Sequence, residues 1–222
     1  MLRVVTWNVN SISVRLERLL ALLNRWSPDV VMLQELKCVE DKFPYEAIES
    51  AGYHAIVLGQ KTYNGVAILS KIPLDRVSTG MGRFYEDEAA RVIQGQLGQT
   101  TLVCCYVPNG QEVGSEKFAY KMKWLEGFKR LIQDSIEKDR SLIVAGDFNI
   151  APEDKDVHDP FVWKDKILCS KEERSYFNQL LELGLCDTFR KHHADSGLFS
   201  WWDYRALGFQ KNHGLRIDFI LA

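Results

Sequence analysis

The sequence predicts an α/β fold, on three observations. An apolar stretch, Val4-Val5-Thr6-Trp7, is followed by Leu16, Leu19, Leu20 and Leu23 at i, i+3, i+4 and i+7, and then by a second apolar stretch at residues 30–33, which gives the order strand, helix, strand. Several short apolar segments bounded by Gly, Asn or Pro come next. Residues 115–139 then carry Phe118, Met122, Leu125, Phe128, Ile132 and Ile136 on one face, the pattern of a long helix packed on one side of a sheet.

In chain order, the first strand runs into Asn8-Val9-Asn10 and the strand at 30–33 runs into Gln34-Glu35. Further strands are expected at His54–Leu58, Val66–Ser70, Val92–Leu97 and 101–107, followed by the long helix and a buried strand at 142–145. The polar, proline-punctuated stretch 151–169 is long enough to suggest a functional loop. A helix is expected over 171–183, with Gly184 placed to end it. Residues 199–222 are aromatic and basic before they close in an apolar strand at 217–221. With no internal repeat, low-complexity tract or linker, residues 1–222 are expected to form a single domain, an ordinary size for one core.

Composition excludes several classes. Hydrophobic residues at 46% and charged residues at 26% are those of a globular chain, not a disordered one. Lys plus Arg number 28 against 30 Asp plus Glu, a net charge of −2, so no global basic field announces nucleic acid. A metal-assisted nuclease needs no such field, because the ion neutralises its carboxylates locally. Five cysteines without a Cys-x-x-Cys pair argue against a disulfide framework or a zinc site, and point to a reducing cytosol. The N-terminal stretch lacks a small-residue cleavage site and no apolar run is long enough to span a bilayer, so neither a secretory leader nor a membrane partner is expected.

The chemistry is concentrated where apolar runs end. Gly146-Asp147-Phe148-Asn149 follows the strand at 142–145, Glu35 follows the strand at 30–33, and Asn8 and Asn10 follow the first strand. Hard oxygen ligands converging from several strand ends would suit Mg²⁺ or Mn²⁺ and a phosphate. Tyr106-Val107-Pro108-Asn109 adds a phenol and an amide able to donate to phosphate oxygens. Asp218 lies in the terminal apolar strand, where an unpaired carboxylate is expensive and a histidine or a metal is implied as its partner. Taken singly, each has an ordinary alternative: Asp147 and Asn149 a turn, Asn8 and Asn10 a strand end, Tyr106 a core aromatic. The case rests on their conjunction.

Together these segments resemble the exonuclease III family of abasic-site endonucleases. The blocks are Thr6-Trp7-Asn8-Val9-Asn10, Gln34-Glu35, Tyr106-Val107-Pro108-Asn109, Gly146-Asp147-Phe148-Asn149-Ile150-Ala151-Pro152, Ser200-Trp201-Trp202-Asp203-Tyr204-Arg205 and Leu215-Arg216-Ile217-Asp218. They occur in order over nearly the whole chain. Several are shared with the wider DNase I-like superfamily, including lipid phosphatases, whereas those around Tyr106, Trp201 and Asp218 resemble the abasic-site enzymes specifically. Asp156-Val157-His158-Asp159-Pro160 is similar to bacterial members. The resemblance implies a four-layer α/β sandwich, two mixed sheets packed face to face with helices outside. It also implies a Mg²⁺-dependent (or Mn²⁺-dependent) cut 5′ to abasic sites in double-stranded DNA, with 3′-end trimming, by a monomer.

Carried over to this chain, the resemblance makes Glu35 the principal metal ligand, with Asn8 and Asn10 beside it. Asp147 would activate the attacking water or protonate the leaving oxygen. Asn149 would orient water and phosphate, and Tyr106 and Asn109 would hold the phosphate oxygens. Trp201, Leu215 and Ile217 would line a pocket for the base-less sugar. The family continues past the 217–221 strand to a Ser-Asp-His block whose histidine Asp218 would orient, and none of His54, His158, His192, His193 or His213 lies in such a block. The expectation is therefore of a C-terminally incomplete domain whose last strand adjoins a missing one: either a fragment of a longer protein or a shortened one with impaired catalysis. Two other functions compete: a phosphatase or phosphodiesterase acting on inositol phosphates or phospholipids, and a non-catalytic DNA-binding remnant. The aromatic-basic run from Ser200 to Arg205 favours DNA.

Overall fold

The computed structural model describes residues 2–138, 141–205 and 207–222. Strand β1 (Val4–Asn8) leads through α1 (Ile12–Trp26) to β2 (Val30–Gln34), which lies parallel to β1 with Asn8 opposite Gln34. Helix α2 (Tyr45–Ser50), β3 (His54–Leu58) and β4 (Val66–Ser70) complete a four-stranded sheet in the order β1-β2-β4-β3. Next come β5 (Asp75–Thr79), β6 (Val92–Leu97), β7 (Thr100–Tyr106), α3 (Glu116–Lys138), β8 (Ser141–Asp147), α4 (Pro160–Trp163) and α5 (Lys171–Glu182). The short pair β9 (Trp201–Trp202) and β10 (Gly214–Leu215) precedes β11 (Asp218–Leu221). The second sheet runs β11-β8-β7-β6-β5, with β7 and β8 parallel and Tyr106 opposite Asp147.

The layering follows from strands that are apolar on both faces. In β2, Val30 and Met32 meet Val66, Ile68, Ile93, Leu102, Cys104 and Ala145 between the sheets, while Val31 and Leu33 face Leu19 and Leu23 of α1. Alternate residues therefore serve two cores. On the far side, Val103, Cys105 and Val144 pack under Trp124, Phe128 and Ile132 of α3 and Phe177 of α5. Phe148 is fully buried there, edge-on to Phe128, Phe177 and Phe219. The result is the expected four-layer sandwich. Helix α5 starts at a capping box in which Ser170 and Glu173 satisfy each other's backbone N–H, and chain reversal after it uses Gly184 at φ +106°.

Some expectations need amendment. The 115–139 helix is Glu116–Lys138, and Asp139 lies outside the described residues. The loop 151–169 contains α4 and is tied down by buried Asp156, whose carboxylate takes Arg190 and the Nε of Arg216 at 2.7 Å, while Arg216 also pairs with Asp187 at 2.8 Å. The outer edge of β11 does not lie open. Cys186 and Ala222 exchange backbone hydrogen bonds of 2.9 and 3.2 Å, and Ile220 accepts from Thr188, so a short segment covers that edge. In the other sheet the end strands are β1 and β3. All five cysteines are free thiols.

The glycine of Gly146-Asp147-Phe148-Asn149 is set by the β7–β8 pairing. A Cβ there would lie 1.8 Å from the carbonyl oxygen of Cys105, its register partner. Gly146→Ala is expected to cost about 3 kcal/mol or more of unfolding free energy, measured by urea titration, because the clash is with backbone that cannot yield without breaking the ladder. A loss under about 1 kcal/mol would show that the strands can part there.

Candidate active site

Parallel pairing brings chemistry to one rim. β1 and β2 end side by side, so Asn8 stands next to Gln34 and Glu35 follows it; β7 and β8 end together at Tyr106 and Asp147; and β11, running the opposite way, begins at Asp218 opposite Asp147. The sandwich sets the two rims against each other. Asn8 Nδ2 donates to Glu35 Oε1 at 2.7 Å and to Asp147 Oδ2 at 2.9 Å, joining the sheets through one amide. Tyr106 donates its hydroxyl to Glu35 Oε1 at 2.9 Å. Asn149 donates its backbone N–H to Asp147 Oδ1 at 2.9 Å and accepts from Asn109 Nδ2 at 3.1 Å. Asn10, Glu35 and Asn149 all take positive φ, so the chain turns sharply where it leaves each strand.

Asn8, Asn10, Glu35, Asp147 and Asp218 open onto a cavity of about 440 Å³ with an aromatic wall of Trp7, Trp201, Trp202, Tyr204 and Phe209; Tyr106 and Asn149 stand outside its lining, and Asn109 lines a separate pocket with Arg91 and Tyr120. Two of the expected wall residues are elsewhere. Leu215 and Ile217 are 0% and 3% exposed and pack with Ala151, Val157 and Leu168 behind Trp201, so they support the wall and do not form its surface. Leu215 stands directly opposite Trp201 in the β9–β10 pair, and its surface is taken up by Trp201 and the 151–169 loop.

Three carboxylates in one cavity oppose each other's charge. Burial pushes Asp147 up from 3.8 to about 6, with Glu35 adding to the rise and hydrogen bonds from Asn8 and Asn149 opposing it. Asp218 is driven well above the usual carboxylate range by burial and by Asp147, against the Ser200 hydroxyl, and its Oδ1 is buried with no hydrogen-bond partner among the described residues. Glu35 goes the other way. Burial disfavours its charge, but Asn8, Lys37 and Tyr106 together outweigh burial and hold it below its ordinary value. Burial raises the Tyr106 phenol far above its normal range, so it stays a neutral donor.

Lys37 is a site residue that the sequence did not flag, and Ser200 figured there only as the first residue of an aromatic-basic run. Lys37 Nζ lies 2.9 Å from Glu35 Oε2 and bonds Asn10 Oδ1. Ser200 Oγ accepts from the N–H groups of Ile217 and Asp218, fixing the start of β11. Nothing in a linear sequence separates such residues from surface lysines and loop serines. Among the described residues no histidine hydrogen-bonds Asp218 Oδ1: His158 stacks on His213 at 4.6 Å, while His192 and His193 line, together with Asp218, a groove beside the cavity.

The donor set fits a hard divalent cation. Among the described residues no three His, Cys, Asp or Glu side chains close on a point by themselves, so an ion here would need Glu35, the amide oxygens of Asn8 and Asn10, and a phosphate together. Its charge would also relieve the mutual repulsion of Glu35, Asp147 and Asp218.

Fold and rim together define a phosphodiester hydrolase of the DNase I-like kind. Residues 5–222 match the endonuclease/exonuclease/phosphatase family, and the chain belongs to it. Exodeoxyribonuclease III of Haemophilus influenzae is 35% identical over all of this chain and 87% of its own. Two solved structures superpose over the whole chain and 86% of theirs. One is the 3′ phosphatase NExo from Neisseria bound to product DNA hairpin, 42% identical with a TM-score of 0.97. The other is an AP endonuclease from Archaeoglobus fulgidus, 37% identical with a TM-score of 0.94.

The raised pKa of Asp147 has a consequence for stability. Between 3.8 and about 6 the folded state holds a proton that the unfolded state releases, so this group's contribution is largest below pH 4 and is lost as pH rises through 6. In chelator, wild type should therefore lose up to about 3 kcal/mol relative to Asp147→Asn between pH 4 and pH 7. Urea titrations giving parallel pH profiles for the two proteins would refute the assignment.

Proposed function

We propose that the chain is a DNA-repair phosphodiesterase that uses Mg²⁺ or Mn²⁺ to cut double-stranded DNA 5′ to abasic sites and to trim 3′ ends, acting as a monomer in the cytoplasm. The observation that carries this is the meeting of Glu35, Asp147, Asn8 and Tyr106 in one hydrogen-bonded cluster beneath an aromatic wall. A bound ion would supply Lewis-acid stabilisation of the phosphate and its leaving oxygen. The residues that would hold it are Glu35, Asn8 and Asn10.

The protein's own groups do the rest. Asn109 and Asn149 present amides to the phosphate's non-bridging oxygens, where charge builds as the phosphorus is attacked. Asp147, held by Asn8 and by the backbone of Asn149, is oriented to exchange a proton with the attacking water or the departing 3′ oxygen. Trp201, Trp202, Tyr204 and Phe209 offer flat apolar surface to a sugar without its base and to neighbouring bases. A second reading, preferential removal of 3′-terminal phosphate, is favoured by the likeness to the Neisseria protein described as a 3′ phosphatase.

Two measurements test the assignment of roles. Glu35→Gln should weaken Mg²⁺ or Mn²⁺ binding strongly in calorimetry, since a charged oxygen ligand becomes neutral; unchanged affinity would remove Glu35 from the ion's shell. Asp147→Asn should lower turnover by at least about 10²-fold with DNA affinity roughly kept, and near-normal turnover would sink its role in proton transfer.

The substrate is tested by competition. Duplexes carrying one abasic analogue, one 3′-phosphate or no lesion, together with inositol phosphates, should be offered at equal concentration. Cutting of the abasic duplex ahead of the others is expected. Preference for the 3′-phosphate would select the second reading, and release of phosphate from inositol phosphates would overturn both.

A further inference from the structure

We propose that Lys121, with Glu173 as its counter-charge, is a positioning residue that sets the two amides holding the phosphate. The inference rests on the roles given to Asn109 and Asn149 above. Lys121 lies on the buried face of α3 and is 0% exposed, an expensive place for an ammonium group. All three of its N–H donors are used. They go to the carbonyl of Asn149 at 2.7 Å, the carbonyl of Asn109 at 3.1 Å and Glu173 Oε1 at 2.5 Å.

Those two carbonyls belong to the loops leaving β7 and β8, whose side chains meet on the opposite side, Asn109 Nδ2 donating to Asn149 Oδ1. One ammonium therefore grips both loops from behind while their amides join in front. Asn149 also donates Nδ2 to the carbonyl of Val107 at 3.0 Å, closing the ring. The turn can lie against the lysine stem because residue 110 is glycine: a Cβ there would come within 3.0 Å of Lys121 Cδ and 2.9 Å of Ile167. Glu173 anchors the far end through the N–H groups of Leu168 and Ser170 and the Ser170 hydroxyl. An apolar pair of similar volume would fill the space between α3 and α5 with less desolvation, so packing alone does not account for an ion pair here. Fixed direction does, since only hydrogen bonds specify where two loop carbonyls must stand.

The test compares Lys121→Met/Glu173→Gln, which leaves no lone buried charge, with Lys121→Arg, which keeps the cation, and with Leu180→Ala, a core variant in α5 chosen to lower thermal stability by other means. On the abasic duplex in Mg²⁺, the double variant is expected to fold and to keep KM within about threefold while kcat falls about 10²-fold, the cost of a misplacement on the order of an ångström. Lys121→Arg should recover at least about tenfold of that loss, and Leu180→Ala should leave kcat within about threefold. A second readout needs no activity: hydrogen exchange of the Asn109 and Asn149 side-chain amides, followed by NMR, should quicken in the double variant and not in Leu180→Ala. Unchanged exchange, an unchanged kcat, or an equal kcat loss in Leu180→Ala each overturns the proposal. If wild type cuts no DNA, the proposed function fails, and the amide exchange alone decides the role of Lys121. Should the double variant not fold, Glu173→Gln alone carries both readouts, with faster exchange expected and its absence overturning the proposal.

Discussion

The site depends on the register of two parallel strand pairs. Parallel neighbours send their carboxyl ends to the same rim, and in each sheet of this sandwich the pair that does so ends level: Asn8 beside Gln34, Tyr106 beside Asp147. Asn8, Asn10, Glu35, Tyr106, Asp147 and Asn149 lie at or within a few residues of such an end, and Asp218 joins them from the start of antiparallel β11. The strands are clamped in these registers between two apolar layers, Val30 and Met32 facing one and Val31 and Leu33 the other. Burial in the layers thus sets the placement of the carboxylates, and the ligand crevice lies where open α/β sheets generally place it, beyond the strand ends.

That placement is electrostatically costly, and the structure shows how the cost is distributed. Glu35 is given Lys37, Tyr106 and Asn8 and stays ionised; Asp147 is given two amide donors but is more deeply buried, and sits near the point where it can hold or release a proton. Asp218 is given less than either. Two carboxylates of the same cluster are thereby pushed in opposite directions from their ordinary values, the arrangement by which one cavity can bind a cation and transfer a proton.

Much of the site is legible in the sequence, for identifiable reasons. An apolar run broken by Asn, Glu or Gly-Asp marks both a strand and its rim, so the residue pattern alone singles out Asn8, Asn10, Glu35, Tyr106, Asn109, Asp147, Asn149 and Asp218, and these are the residues the fold brings together. β5 is not legible, because all five of its residues are exposed and carry no alternation, and α2 is too short for a helical period. Leu215 and Ile217 are misplaced on the pocket surface by sequence because an apolar residue beside an aromatic one looks the same whether it faces a ligand or a core. Lys121 escapes for the opposite reason: a lysine on an amphipathic helix is ordinarily solvated, and only the convergence of two loop carbonyls and Glu173 makes it a buried one.

The loop 151–169 bears on the thermodynamics of recognition. Its length is that of a segment that would ordinarily be free to move, yet the Asp156 carboxylate, gripped by Arg190 and Arg216, and the Glu173 bond to Leu168 hold it in the middle and at its far end. Its residues Ala151, Val157 and Leu168 form the backing against which Leu215 and Trp201 are set. A ligand reaching Trp201 therefore meets a surface whose conformational entropy was surrendered when the chain folded, so little of the contact energy need be diverted to ordering the receptor. Selectivity at that surface can then come from a fixed shape.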